Sequence, residues 1–282
     1  MGRSPATATL LVLAAIVSVQ VGAAATTELF DEVGPGGAVL LRLVFAALVL
    51  AALWRPFPVR ADRRSLALVA LFGVALAAMN FSFYEALDRI PLGVAVTLEF
   101  VGPLGVALVA SRRRLDLVWV AVAAVGVVLV SDPSGGADAA GIGFALIAGG
   151  FWAAYIVLSS RVGREFEGGT GLALAMTVAA ALMLAPGIAI GGSDLLDPEV
   201  AAIGFAVAVL SSAIPYSLEL EALRTLPVGV FGVLMSLEPA VAAAVGAIAL
   251  SQGLSGAEIA GIAAVSAASA GVLRRSGTDP TA

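Results

Sequence analysis

Apolar runs of about 20 residues recur along the whole chain, separated by short stretches where arginine, aspartate, glutamate, glycine and proline gather. A helix rises about 1.5 Å per residue, so each run can cross a hydrocarbon core about 30 Å thick. The runs lie at about 7–27, 34–54, 65–87, 92–111, 115–131, 139–159, 170–191, 200–221, 228–250 and 256–273. They predict an all-α polytopic membrane protein of ten transmembrane helices. Composition agrees: of 282 residues 60% are hydrophobic and 12% charged, where a soluble domain sits near half apolar and a quarter charged.

The polar residues between the runs set an orientation. All 15 basic residues are arginine. With the N-terminus inside, the cytoplasmic segments hold Arg3, Arg55, Arg60, Arg63, Arg64, Arg112, Arg113, Arg114, Arg161, Arg164, Arg224, Arg274 and Arg275. Only Arg89 falls outside, and Arg42 lies within a span. Acidic residues gather in the outer loops (Glu28, Asp31, Glu32; Asp132, Asp138; Asp194, Asp197, Glu199). The arginine bias predicts that both termini are cytoplasmic. Arg3, an apolar run and GAAAT at 22–26 also fit a cleaved secretory signal; cleavage there would leave an odd number of helices and spoil the charge pattern. The net charge of −5 averages over two sides of a membrane and says little about partners.

The chain also repeats itself. EALDRIPLGVAVTLEFVGPLGVA (85–107) aligns without gaps to EALRTLPVGVFGVLMSLEPAVAA (221–243), with nine of 23 positions identical at a constant offset of 136. Pro91 matches Pro227, and Pro103 matches Pro239. Chance likeness between aliphatic helices accounts for some matches, less readily for two prolines and a glycine at fixed spacing. An odd number of helices, five, separates the copies, so the second is inverted. The predicted units are a first five-helix repeat over 1–132, a second over 133–275 and a cytoplasmic tail over 276–282. Inverted halves are the usual frame of a secondary transporter, with the substrate near the midplane between them.

Within the spans, a few polar residues stand out. A charge at the bilayer centre faces a cavity, pairs, or is protonated. Glu238 sits near the middle of the ninth run, beside Pro239, which has no N–H to donate and clashes one turn back. Glu99 sits four residues before Pro103. Through the repeat Glu238 corresponds to Gly102, three residues from Glu99 and so on a similar helical face. The two carboxylates are the candidate proton-coupling groups, with interhelical bonding as the structural alternative. Arg42, roughly 12 Å inside its span, is a candidate clamp for a substrate carboxylate or a partner for a glutamate; snorkelling is its alternative. Further substrate-binding candidates follow helical spacing: Gln20 with Ala24 and Thr27; Asn80 with Tyr84; Trp152 with Tyr155 and Ser159; Ser212 with Tyr216 and Glu219 beside Pro215. Each alone also reads as helix–helix glue or an interfacial aromatic, and Glu219 as a counter-charge for Arg224.

Chemistry narrows the classes. With no cysteine and no histidine, disulfides, thiolate nucleophiles and histidine relays are excluded. An intramembrane serine protease of the rhomboid kind needs histidine, and every aspartate lies in a loop or at a span edge. No phosphate-binding loop is present for a pump. A channel or scaffold remains, disfavoured by the repeat and the buried carboxylates. The reading is a transporter, not an enzyme, with a small-molecule substrate in a lipid bilayer and with no metal, cofactor or nucleic acid.

IPLGVAVTLEFVGPLGVAL (90–108), FWAAYIVLSSRVG (151–163), LSSAIPYSLELEALRTLP (210–227) and FGVLMSLEPAVAA (231–243) resemble the drug/metabolite transporter superfamily with paired EamA domains. More narrowly they resemble inner-membrane threonine/homoserine exporters, with PYSLE and MSLEP the more specific blocks. The resemblance implies a ten-helix bundle in the bacterial inner membrane, a central cavity, and export of small amino acids against protons. Export of unrelated drugs or metabolites on the same fold is the alternative. Two positions depart from the pattern. Thr27 stands where similar proteins often carry lysine, which puts the exact substrate in doubt. Ser251 and Gln252 replace Gly-Glu at the outer end of the ninth run, which reads as minor.

Overall fold

A computed structural model describes residues 5–56, 61–110, 116–130, 138–223, 225–226 and 228–276. Among these the chain is helical: α1 (Pro5–Thr27), α2 (Phe30–Trp54), α3 (Arg63–Leu87), α4 (Leu92–Glu99), α5 (Val101–Ala110), α6 (Asp116–Val130), α7 (Ala139–Glu165), α8 (Thr170–Gly191), α9 (Pro198–Ala208), α10 (Ile214–Leu223), α11 (Val228–Met235), α12 (Glu238–Ala249) and α13 (Gly256–Ser276). Among the described residues five stretches are long and apolar enough to cross a membrane: Ala6–Thr27, Phe30–Trp54, Arg63–Leu87, Ala139–Glu165 and Thr170–Leu196. Five shorter apolar stretches lie at Leu92–Val106, Val118–Val130, Pro198–Ala213, Val233–Ala249 and Gly256–Gly271.

Local chemistry sets several boundaries. Asp62 starts α3 by accepting from the Ser65 N–H at 2.8 Å, and Asp138 and Asp197 open α7 and α9 in the same way. α2 begins with a turn that ends at Gly34, whose φ of +64° suits a residue without a Cβ, and then runs on from Pro35.

Three of the predicted runs are interrupted. The fourth divides at Phe100 into α4 and α5. Pro103 cannot bond the Glu99 carbonyl one turn back, and that carbonyl faces Gly149 of α7, where a Cβ would stand 2.6 Å from it. The ninth divides at Ser236 and Leu237. Pro239 therefore does not break a helix from within, as the sequence suggested. It occupies the first turn of α12, where a missing N–H costs nothing. The eighth carries a π-helical turn at Val209–Ala213 between α9 and α10, which shifts the register of everything after it.

Packing joins α2 to α8, α3 to α7 and α8, α1 to α10 and α12, α2 to α9, α4 to α12 and α7, and α6 to α13. The core is built from small and branched residues such as Ala38, Val39, Leu43, Leu76, Ala145, Ala148 and Ala175. Leu48, Leu53, Leu71, Ile188 and Ile248 point outward, the arrangement a lipid-facing surface needs. At the close of α3, Arg89 is neutralised by Glu85 at 2.8 Å and Asp88 at 3.6 Å.

Candidate functional site

The broken spans bring the intramembrane polar residues to one place. A cavity of about 190 Å³ is lined by Gln20 of α1, Arg42 of α2, Asn80 of α3, Glu99 of α4, Trp152 and Tyr155 of α7, Glu219 of α10 and Glu238 of α12. Val19, Ala23, Met79, Phe83, Val96, Ser211, Pro215 and Met235 complete the lining. Three carboxyl groups and one guanidinium thus share a small chamber.

Arg42 does not snorkel toward the end of its helix. Its Nη1 donates to Tyr84 Oη at 3.2 Å, its Nη2 to the Ser211 carbonyl at 3.5 Å, and the guanidinium lies 5.6 Å from the Tyr84 ring centre. Tyr84 itself is fully buried and does not line the cavity. It stands behind Arg42, and its hydroxyl shares a 3.1 Å hydrogen bond with Thr26. Its role is therefore to position Arg42. Asn80 donates to Leu76 O of its own helix at 2.8 Å. Trp152 meets Phe100 edge to face at 5.4 Å, so the aromatic ring braces the interruption beside Glu99. Glu219 lines the cavity; Arg224, the partner the sequence also offered for it, lies outside the described residues. Tyr216 falls on α10, and its side chain lies outside the described ones.

The sequence placed Ser212 on the polar stripe, but Ser211 lines the cavity. The π turn is the reason, because an i→i+5 turn rotates the following residues relative to an ideal helix. The cavity face then reads Ser211, Pro215, Glu219, spaced i, i+4, i+8. Gln20 Oε1, Ser211 Oγ and Glu238 Oε2 are buried without a hydrogen-bond partner among the described residues. Buried side-chain polar atoms without a partner are uncommon, and these three belong to residues that line the one cavity.

Ser159 belongs elsewhere. With Leu50, Trp54, Phe72 and Phe166 it lines a second, mainly apolar cavity of about 570 Å³ at the ends of α2 and α7. Tyr155, packed on Phe72 at 5.3 Å, borders both cavities. The two departures also find places. Thr27 bonds back to the Ala24 carbonyl at 2.7 Å and takes no part in the lining. Gln252 is more than a surface change, since its Oε1 accepts from the Leu92 N–H at 2.9 Å and so caps the start of α4 from 160 residues away.

Residues 139–274 match the model of the EamA-like transporter family. The threonine/homoserine exporter RhtA of Escherichia coli (strain K12) is 40% identical over 264 residues, covering 93% of this chain and 89% of that protein. The protein of the same name from Salmonella typhimurium (strain LT2) is 40% identical over 265 residues, covering 93% and 90%. A crystal structure 22% identical in sequence superposes on 98% of this chain and 100% of its own with a TM-score of 0.65, a likeness of fold.

Proposed function

The chain belongs to the EamA-like transporter family, a family of transporters rather than enzymes, and we propose that it exports small amino acids of the threonine/homoserine kind by exchange for protons. The observation that carries this reading is the cavity in which Arg42 faces three carboxyl groups. A zwitterion has one group for each pole: its carboxylate suits the guanidinium fork, and its ammonium suits Glu238 with Glu99 or Glu219. Three carboxyl groups beside one cation require further positive charge, supplied by a proton or by the substrate's ammonium. Competition between the two for the same oxygens is the coupling. The names of the relatives, at 40% identity over most of both chains, support the substrate class. The volume does too, since about 190 Å³ is below the roughly 300–1,000 Å³ of drug-sized sites.

The proposed arrangement is ten spans in two inverted five-helix halves, 1–132 and 133–275, in the bacterial inner membrane with both termini cytoplasmic. The offset of 136 supports it, because it carries the interruption at Phe100 onto the one at Ser236 and residues 63–87 of α3 onto 199–223 of α9 and α10. The pairings support it as well. Exchanging halves turns α3 on α7 into α10 on α1, and α3 on α8 into α9 on α2. The arginine asymmetry supplies the orientation.

A second reading, export of larger apolar solutes, is favoured by the apolar cavity of about 570 Å³ beside Trp54 and Phe166. Proteoliposomes loaded with a panel of amino acids and amphipathic drugs, under an imposed pH gradient, decide between them. Release of threonine or homoserine alone supports the proposal, and release of lipophilic drugs alone overturns it.

A further inference from the structure

The two cavities lie in series, and Tyr155 is common to their walls. On α2 the larger cavity takes Leu50 and Trp54 where the smaller takes Arg42. On α3 it takes Phe72 where the smaller takes Met79 and Asn80, and on α7 it takes Ser159 and Phe166 where the smaller takes Trp152. α3 runs opposite to α2 and α7, so on all three helices the larger cavity lies toward the same end of the bundle. Contacts tie that end together: the Ser65 hydroxyl donates to Glu165 Oε2 at 3.1 Å, and Trp54 lies so close to Gly168 and Gly169 that a Cβ on either would collide with the indole. From Tyr155 to Phe166 the larger cavity follows α7 for roughly 16 Å. Arg55, Arg63, Arg64, Arg161 and Arg164 sit at this end, which the arginine bias makes cytoplasmic.

The two walls differ in chemistry. Arg42, Glu99, Glu219 and Glu238 all border the smaller cavity, whereas the described lining of the larger one carries no carboxyl or guanidinium group. Mainly apolar walls hold a charged solute weakly, as a passage must if what enters is to move on. Tyr155 stands where one chemistry gives way to the other. Its ring is half-buried and meets the Phe72 ring at 5.3 Å between centres, tilted by 44°. A core side chain is locked by close packing around it, but Tyr155 has open volume on two sides. The π turn crosses the same boundary, with Ser211 on the smaller cavity and Ala213 on the larger.

We infer that the larger cavity is a cytoplasmic vestibule through which solute reaches the carboxyl groups, and that the Tyr155 ring, backed by Phe72, is the gate between the two. This rests on the orientation proposed above and is independent of which solute is carried. The vestibule serves entry and needs no solute class of its own.

The chain has no cysteine, so a single introduced thiol is the only one to react. Met79→Cys places it in the smaller cavity and Ser159→Cys in the larger. The full chain, in inner-membrane vesicles of either sidedness, is treated with a membrane-impermeant methanethiosulfonate reagent. From the cytoplasmic face Ser159→Cys should react readily, and Met79→Cys about tenfold more slowly. Adding Tyr155→Ala to Met79→Cys should remove most of that difference, and adding Phe72→Ala should reduce it several-fold. Tyr155→Phe, which keeps the ring, should preserve it. The rate of Ser159→Cys, measured in each background, should stay constant and so controls for the fold. Equal rates at Met79→Cys with and without the Tyr155 ring would overturn the gate and leave the orientation standing. Reaction of Ser159→Cys from the outer face alone would overturn the orientation and the entry role with it, and no reaction from either face would overturn the vestibule itself.

Discussion

The fourth and ninth spans, interrupted at matching places, use the same position in opposite ways. Position 102 plus the offset of 136 is position 238. In the first span that position is Gly102, and a Cβ there would run into the backbone of Gly149 on α7. In the second it is Glu238, whose carboxyl group borders the cavity. The surroundings differ in the same sense. All eight residues of α4 are buried, whereas on α11, its counterpart under the same offset, Val230 is exposed and Phe231, Val233, Leu234 and Met235 are only partly buried. The carboxyl groups also meet opposite helix ends. Glu99 closes α4, where the backbone presents partial negative charge, and shares the cavity with Arg42. Glu238 opens α12, where free N–H groups present partial positive charge. One interruption is thus packed for rigidity and the other is open to chemistry, a division that near-identical helical frames permit because a single residue decides how closely two backbones approach.

The strongest way to break this comparison is to remove the charge from each side. Glu238→Gln keeps the volume and cannot ionise. It should insert normally, since losing an intramembrane charge does not destabilise a helix, and its gradient-driven export should fall to that of protein-free liposomes. Glu99→Gln should retain part of it. Equal losses would remove the asymmetry between the halves. Next in size is the packing arm. Gly102→Ala drives a methyl group into Gly149 and should cost about 1–3 kcal/mol, seen as a lower midpoint of thermal unfolding. Glu238→Gly should leave that midpoint near the wild-type value and abolish transport.

Much of this was legible in the sequence. Proline pairs at fixed offset marked the interrupted spans, charge within a span marked Arg42, Glu99 and Glu238, and helical spacing marked Gln20, Asn80, Trp152, Tyr155 and Glu219, because an intramembrane polar residue is rare enough to be informative one at a time. What could not be read were effects of backbone geometry. The π turn that exchanges Ser211 for Ser212 has no residue signature. The contact of Gly102 with Gly149 joins two small residues in a chain with 32 glycines. Tyr84 kept the spacing of a lining residue, yet its hydroxyl is taken up by Arg42 and Thr26 instead.

Two smaller effects sharpen the outer frame. Gln252→Ala withdraws the acceptor of the Leu92 N–H and should lower stability by about 1 kcal/mol, with transport nearly unchanged. The least effect concerns Asp62, fully exposed at the start of α3. The backbone N–H of Ser65, with help from its hydroxyl, holds the Asp62 carboxyl below its ordinary range. A lowered folded value means that the cap is complete at neutral pH and is lost only as pH falls through that value. Protection of the Ser65 amide from hydrogen exchange should therefore decline in acid, and Asp62→Asn should make it insensitive to pH.

The central claim is that substrate and protons compete for the cavity carboxyl groups, and it is tested most directly by following both at once. Proteoliposomes containing a pH-sensitive dye are loaded with threonine and diluted into threonine-free buffer with no imposed gradient. The account predicts that threonine efflux acidifies the lumen as protons enter in exchange, and that Glu238→Gln abolishes the acidification. Efflux of threonine from wild-type liposomes at full rate with an unchanged lumenal pH, and with the membrane potential clamped, would contradict it.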